Sequence, residues 1–245
     1  MSLGNEYELD WLSIIIAVAV ILFSIGLIWF LKRKPKGKSI LLVGLPGSGK
    51  TLIFGQLIHK KPVLTVTSVK ENVGSLALDE KERLTVVDIP GHIRFRQEFF
   101  DAHKRAAKAI VFVVDSTTYT RSLKDITEYI YDILTDDQIA RTSPRILVFC
   151  NKCDKGPRVK EAVKNAIEKE MDFLQVSKQN MMNSSGPANN NTFLGKIGNK
   201  FSFSDLAKIE VDFAEGFATD ENISIHDQSE VRCDLDVLHQ WILKA

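Results

Sequence analysis

Three cysteines in 245 residues, Cys150, Cys153 and Cys233, are too few and odd in number for a secreted disulfide scaffold, which points to a reducing compartment. Cys150 and Cys153 have C-x-x-C spacing, yet no second pair follows to complete a zinc site. Charge of one sign is also lacking. The chain carries 32 basic and 31 acidic residues, a formal net charge of +1, so no bulk field singles out nucleic acid as a partner, and direct nucleic-acid binding is not expected. Lipid-anchor signals are missing as well: residue 2 is Ser rather than Gly, and the final residues Trp241 to Ala245 hold no prenylation cysteine. The 44% hydrophobic content is ordinary for one sizeable packed domain.

The sharpest absence is local. No charged residue occurs between Trp11 and Leu31, a run dominated by Leu, Ile, Val and Phe. About 21 residues at ~1.5 Å rise each match the ~30 Å hydrocarbon core of a bilayer, and Trp11 and Trp29 fall near its ends, where aromatic rings favour the interface. A buried core helix of this length would show a polar face. A cleaved signal peptide would begin basic and have a shorter apolar stretch, whereas this start carries Glu6, Glu8 and Asp10. The reading is a single transmembrane helix over residues 11–31. Lys32, Arg33, Lys34, Lys36 and Lys38 follow it and place that flank in the cytosol, with residues 1–10 as a short lumenal head. The basic linker, residues 32–38, can also attract anionic headgroups. It extends about 25 Å at most, at ~3.5 Å per residue.

From Ser39 onward, short apolar runs alternate with amphipathic segments. Ser39–Val43, Leu84–Val87, Ala109–Val114, Arg145–Cys150 and Lys208–Phe213 read as buried strands. Val163, Ile167, Met171 and Leu174 share one helical face, as do Leu235, Leu238 and Ile242. The fold class is therefore α/β, a mostly parallel sheet covered by helices over residues 39–245. Asn72–Leu78 is expected as an antiparallel edge strand in a hairpin with the strand at Leu84. Residues 175–200, rich in Asn, Ser, Gly and Lys with Pro187, read as a long polar insertion. The sequons at Asn183, Asn190 and Asn222 fall on the expected cytosolic side, where they are not glycosylated.

Gly44-Leu45-Pro46-Gly47-Ser48-Gly49-Lys50-Thr51 matches G-x-x-x-x-G-K-[ST] between a strand and a helix. Glycines let backbone N–H groups surround phosphate oxygens, and the helix N-terminus adds partial positive charge. Lys50 would reach the β- and γ-phosphates, and the Thr51 hydroxyl would ligate Mg²⁺. Two later strings follow strands at the edge where such sheets bind ligands. In "DIPGH", Asp88 can hold Mg²⁺ through water and the Gly91 N–H can meet a γ-phosphate. In "NKCD", with Asn151, Lys152 and Asp154, a carboxylate can accept hydrogen bonds from the ring N–H and exocyclic amine of guanine, which adenine does not offer.

This ordered set resembles the Ras-like small GTPases over residues 39–245. Within them, the apolar N-terminal run, the His after "DIPG", and "LGKIGNKFSFSDL" followed by "VDFAEGFA" resemble the signal recognition particle receptor beta-subunit family. The resemblance implies an endoplasmic reticulum membrane protein that holds the receptor's alpha subunit in a GTP-dependent way. It also implies indirect links to the signal recognition particle, the ribosome and the translocon, and GTP/GDP with Mg²⁺ as ligands. An Arf- or Rab-like regulator of vesicle traffic with a transmembrane anchor is the second reading, and a P-loop kinase or transporter ATPase is disfavoured by the guanine signature. The Ser-Ala-Lys stretch common in small GTPases is replaced by Gly216-Phe217-Ala218-Thr219, where only Ala218 fits. His92 stands where Ras-type enzymes place the glutamine that orients water, so slow intrinsic hydrolysis is expected. The first-switch threonine should lie about 20 residues before Asp88, by the same resemblance. Thr65, Thr67 and Ser68 are the candidates, with Thr67 favoured as a Mg²⁺ ligand.

Overall fold

In a computed structural model, residues 11–31, 37–60, 68–78, 83–156, 159–185, 194, 200–218 and 233–244 are described, without the side chains of residues 12, 13, 25–31, 155 and 179–185. The chain divides into two compact units, residues 1–36 and 37–245. In the first, Trp11–Leu31 form one continuous 21-residue helix, α1. Its described apolar side chains are exposed, Trp11 at 80% and Phe23 at 73%. Among the described residues no helix is long and apolar enough to cross a membrane.

The second unit is built on a six-stranded sheet in the order β2-β3-β1-β4-β5-β6. The strands are β1 (Ser39–Val43), β2 (Asn72–Ala77), β3 (Arg83–Asp88), β4 (Ala107–Asp115), β5 (Arg145–Asn151) and β6 (Val211–Glu215). All pair in parallel except β2, which runs antiparallel to β3 with Asn72 opposite Asp88, so the expected hairpin edge is present. Strands β1 and β4 are buried on both faces, as their near-continuous Ile, Leu, Val and Phe content requires. Alternate residues feed two cores. Leu41, Val43, Ile110, Phe112 and Val148 pack under α3 (Ile93–His103), α4 (Leu123–Thr135), α5 (Asp137–Thr142) and α6 (Lys160–Ser185). Ile40, Leu42, Val111 and Phe149 pack under α2 (Lys50–His59) and α7 (Asp236–Lys244).

Two expectations need correction. The last strand starts at Val211 rather than Lys208, because its pairing with β5 begins at Ile146↔Val211 and residues 208–210 only lead into it. The polar segment is not irregular from its start: α6 continues to Ser185, and no helix breaker intervenes before Gly186 and Pro187. The buried Val163, Ile167 and Met171 stripe extends to Gln175, whose Oε1 accepts the Leu194 N–H at 3.3 Å. Asp172 likewise accepts the Phe201 N–H at 2.6 Å. The remainder of the expected insertion, residues 186–193 and 195–199, lies outside the described residues.

The C-terminal helix is pinned by polar contacts as well as apolar ones. Trp241 Nε1 donates to Asp212 Oδ2 at 2.6 Å, and Arg145 Nη2 pairs with the same oxygen at 2.9 Å. On the other face of the sheet, Ile110 sits in the core under α3 to α6 with no exposed surface. Truncating Ile110→Ala should lower unfolding free energy by about 2–5 kcal/mol, whereas Val237→Ala on the exposed face of α7 should stay within about 0.5 kcal/mol; urea unfolding of both variants checks this.

Candidate functional site

Four strand ends converge at one edge of the sheet. β1 delivers the loop 44–51, β3 delivers Asp88 to Gly91, β4 ends at Asp115, and β5 delivers Asn151 to Asp154. This is the ligand-binding edge of an open α/β sheet. Between them lies a cleft of about 290 Å³, lined in part by Gly47, Lys50, Thr51, Asp88, Gly91 and Lys152.

The loop is held by its carbonyls. Lys50 Nζ donates to Leu45 O at 2.9 Å, Lys152 Nζ to Gly47 O at 2.8 Å, and Asn151 Nδ2 to Ser48 O at 2.8 Å. Gly49 sits at φ 92°, and a Cβ there would fall 2.2 Å from Asn151 Nδ2. Only glycine permits both that backbone conformation and that approach. Gly91 is constrained by close approach alone, since its Cβ would lie 2.6 Å from Pro46 N. The loop after β3 therefore rests directly on the loop after β1.

Beneath this loop, Thr51 Oγ1 donates to Asp88 Oδ2 at 2.7 Å and lies 3.1 Å from Ser68 Oγ, while Asn72 Nδ2 donates to Asp88 Oδ2 at 2.9 Å. Asp88 is fully buried, and its Oδ1 has no hydrogen-bond partner among the described residues. Burial pushes the Asp88 carboxyl above the usual carboxylate range, against the hydrogen bonds from Thr51 and Asn72 and the charge of Lys50. Burial also pushes the Lys50 ammonium down to about 8, despite the pull of Asp88. One buried cation and one buried carboxylate are thus each short of compensating charge, and a phosphate with a hard divalent cation would supply both. A hydroxyl and a carboxylate with an unpartnered oxygen are the donors Mg²⁺ takes when phosphates complete its shell. Among the described residues no group of three or more His, Cys, Asp or Glu side chains could hold a metal.

The other expected residues divide. Asn151 is 1% exposed, and Lys152, at φ 66°, also pairs with Asp115 Oδ2 at 2.6 Å. Asp154 is exposed in the turn after β5. Ala218 is buried, with its carbonyl accepting from Gln56 Nε2 at 3.2 Å, in a segment tied to this edge through Cys153 N–H to Gly216 O at 3.2 Å. His92 caps α3: its Nδ1 accepts the Arg94 N–H at 3.3 Å, and its ring is exposed beside Phe95. Thr65 and Thr67 lie outside the described residues; Ser68 is the first-switch candidate that reaches Thr51.

Sequence reasoning missed Asp115 and Asn72. Burial alone would raise the Asp115 carboxyl, but the Lys152 ammonium and the Thr117 N–H and hydroxyl outweigh it and hold it below the usual range. Its signal was available, because Asp115 closes an apolar strand as Asp88 does. Asn72 is recognisable only from its register opposite Asp88.

Comparisons agree with this geometry. Residues 35–211 match the family model described as signal recognition particle receptor beta subunit. The chain is 35% identical to the receptor's subunit beta from Rattus norvegicus over 83% of this chain and 77% of that one. For the Homo sapiens subunit beta the figures are 32%, 95% and 86%. A solved chain titled "The Structure of the Mammalian SRP Receptor" aligns with a TM-score of 0.70 and 32% identity over 84% of this chain and 98% of that chain. A Chaetomium thermophilum chain titled as an SRb-GTP/SRX complex shares the fold, with a TM-score of 0.60 at 19% identity over 86% of this chain and 99% of that chain. The sheet and its helices are those of a Ras-like GTPase domain.

Lys50 gives the site a measurable pH signature. Its native pKa lies below its unfolded value of 10.5, so the unfolded chain binds more protons between pH 8 and 10.5 and this group raises stability as pH rises through that window. A titration of the Lys50 side chain by NMR should give a midpoint near 8, and Lys50→Met should remove the associated rise in unfolding free energy.

Proposed function

The chain belongs to the signal recognition particle receptor beta-subunit family, and on that premise we propose that it is a membrane-fixed guanine-nucleotide switch that holds the receptor's alpha subunit at the endoplasmic reticulum. The observation that carries the nucleotide part is the clamp on the loop 44–51 by Lys50, Asn151 and Lys152 above the buried Thr51–Asp88 pair. The loop's N–H groups and Lys50 receive the phosphates. Thr51 and Asp88 hold Mg²⁺, with Thr67 as the further ligand supplied by the first switch. Bound there, Mg²⁺ neutralises phosphate charge.

Base selectivity rests on Asp154, which accepts from guanine. Asn151 and Lys152 serve it indirectly, since their described hydrogen bonds tie the turn after β5 to the phosphate loop. The Ala218 N–H meets the guanine oxygen. Intrinsic hydrolysis is slow, because His92 replaces the water-orienting glutamine of Ras-type enzymes and is engaged as an exposed helix cap.

Residues 11–31 span the membrane once, with residues 1–10 lumenal and the nucleotide domain cytosolic. The 21-residue charge-free helix and the basic residues after it support this topology. A domain so tethered keeps its location when its nucleotide changes. Loss of the γ-phosphate frees the segment around residues 65–68 and the Gly91 loop together, so switching alters what the domain holds. The SRb-GTP/SRX title of the Chaetomium thermophilum relative supports a GTP-bound assembly of this kind.

Full-length chain in detergent, loaded with GDP or a non-hydrolysable GTP analogue, should retain the alpha subunit at least about tenfold more strongly in the analogue state, a difference of about 1.4 kcal/mol. Equal retention in both states would leave an anchor whose nucleotide has no switching role. Retention of vesicle coat or tethering proteins instead would move the assignment to an Arf- or Rab-like regulator of traffic.

A further inference from the structure

The edge of the sheet opposite the nucleotide cleft is where every parallel strand begins. Each of these strands is entered through a basic residue: Lys38 before β1, Arg83 opening β3, Lys108 in β4, Arg145 opening β5, and Lys208 ahead of β6. The helices α2, α3 and α7 run back to the same edge and end near Lys60, Arg105 and Lys244, α5 at this edge carries Arg141, and α4 ends there on Asp132 and Asp136.

Cations at helix C-termini have a local explanation in the helix dipole. Cations at strand starts have none, because strands carry little net dipole. Four described acids of this edge are paired, two on each of two cations, so these clusters leave two negative charges over. Asp101 and Asp136 both pair with Lys104, and Glu210 and Asp212 both pair with Arg145. Lys38, Lys60, Arg83, Arg105, Arg141 and Lys208 are exposed, and none pairs with an acid among the described residues. Against them stand exposed Asp137, the two charges left over at Lys104 and Arg145, and the hairpin turn at residues 79–82, whose sequence Asp-Glu-Lys-Glu lies outside the described residues; with Lys108 and Lys244 counted, the cations of this edge exceed its acids. The chain's overall charge of +1 hides this segregation.

The same edge is where the chain comes in through Gly37 and Lys38, directly after the basic linker. We propose that the strand-start edge of the nucleotide domain is a docking surface for anionic phospholipid headgroups, holding the domain with its nucleotide cleft turned away from the bilayer. The inference rests on the membrane-anchored reading above. Charge complementarity and the attachment point favour a lipid surface over any other polyanion. A domain docked in this way offers its switch loops to the cytosol and to a partner.

The test uses the full chain in lipid nanodiscs of pure phosphatidylcholine or with about 30 mol% phosphatidylserine, followed by lysine acetylation and mass spectrometry. Lys60, Lys208 and Lys244 should be acetylated at least about threefold more slowly in the anionic discs, the difference vanishing at about 0.5 M salt. Lys124 and Lys164, near the other ends of α4 and α6, should be unaffected. In a Lys38→Gln/Lys108→Gln/Lys208→Gln variant, Lys60 and Lys244 should lose most of their protection. Equal acetylation in both discs would overturn the docking surface while leaving the anchor intact. Failure of the chain to co-purify with discs of either composition would overturn the anchor and the docking surface together. Protection of the same lysines by added RNA but not by phosphatidylserine would overturn the lipid assignment in favour of a nucleic-acid surface.

Discussion

The three side-chain hydrogen bonds that hold the loop 44–51 by its carbonyls are the constraint on which the site depends. A glycine-rich loop has the largest conformational entropy to lose, and three glycines in eight residues would leave it broad and unpreorganised. Lys50, Lys152 and Asn151 fix Leu45 O, Gly47 O and Ser48 O instead. Two of these donors come from the end of β5, four strand positions from the edge strand β2, so the sheet itself sets the loop's shape. The clamp also explains why Asn151 and Lys152 are buttresses first: their nitrogens point at the loop's main chain, and Asp115 fixes Lys152 from the far side.

That architecture is expensive in electrostatic terms. Lys50 and Asp88 are both buried, and burial disfavours the charged form of each. The protein offsets part of this with hydrogen bonds from Thr51 and Asn72 to one carboxylate oxygen, and leaves the other oxygen unpartnered. An arrangement of this kind trades stability for affinity, because an incoming phosphate and cation recover what burial cost. The flanking sheet is packed tightly enough to carry the debt, with both faces of β1 and β4 closed by helices.

Much of this was legible in the sequence, for physical reasons that differ by element. Fully buried parallel strands are short, continuous apolar runs, so β1, β3, β4 and β5 were placed within a residue or two. The strand β2 was recognisable because a charged turn separates two alternating segments. Where pairing rather than composition decides, reading failed: β6 starts where β5 offers partners, three residues later than its apolar content implies. Polar composition also misled at α6, whose last turns lack apolar periodicity but contain no residue that would stop a helix. At the site, motifs marked residues that the strand ends bring to one edge of the sheet. Asp115 and Asn72, which support those residues from behind, belong to no short string and emerge only when strand ends are brought together.

The two ends of the sheet divide the work of the molecule. Strand ends gather the loops, carboxylates and amides of the candidate nucleotide site, while strand starts gather cations and the attachment to the linker. The central claim is that the first of these edges selects guanine nucleotides, and calorimetric titration of the full-length chain with Mg²⁺-GTP and Mg²⁺-ATP tests it most directly. The account predicts GTP binding at least about tenfold tighter than ATP, since the Asp154 contacts have no counterpart on adenine. Equal affinities, or preference for ATP, would contradict it and leave the chain a nucleotide-binding domain without a guanine switch.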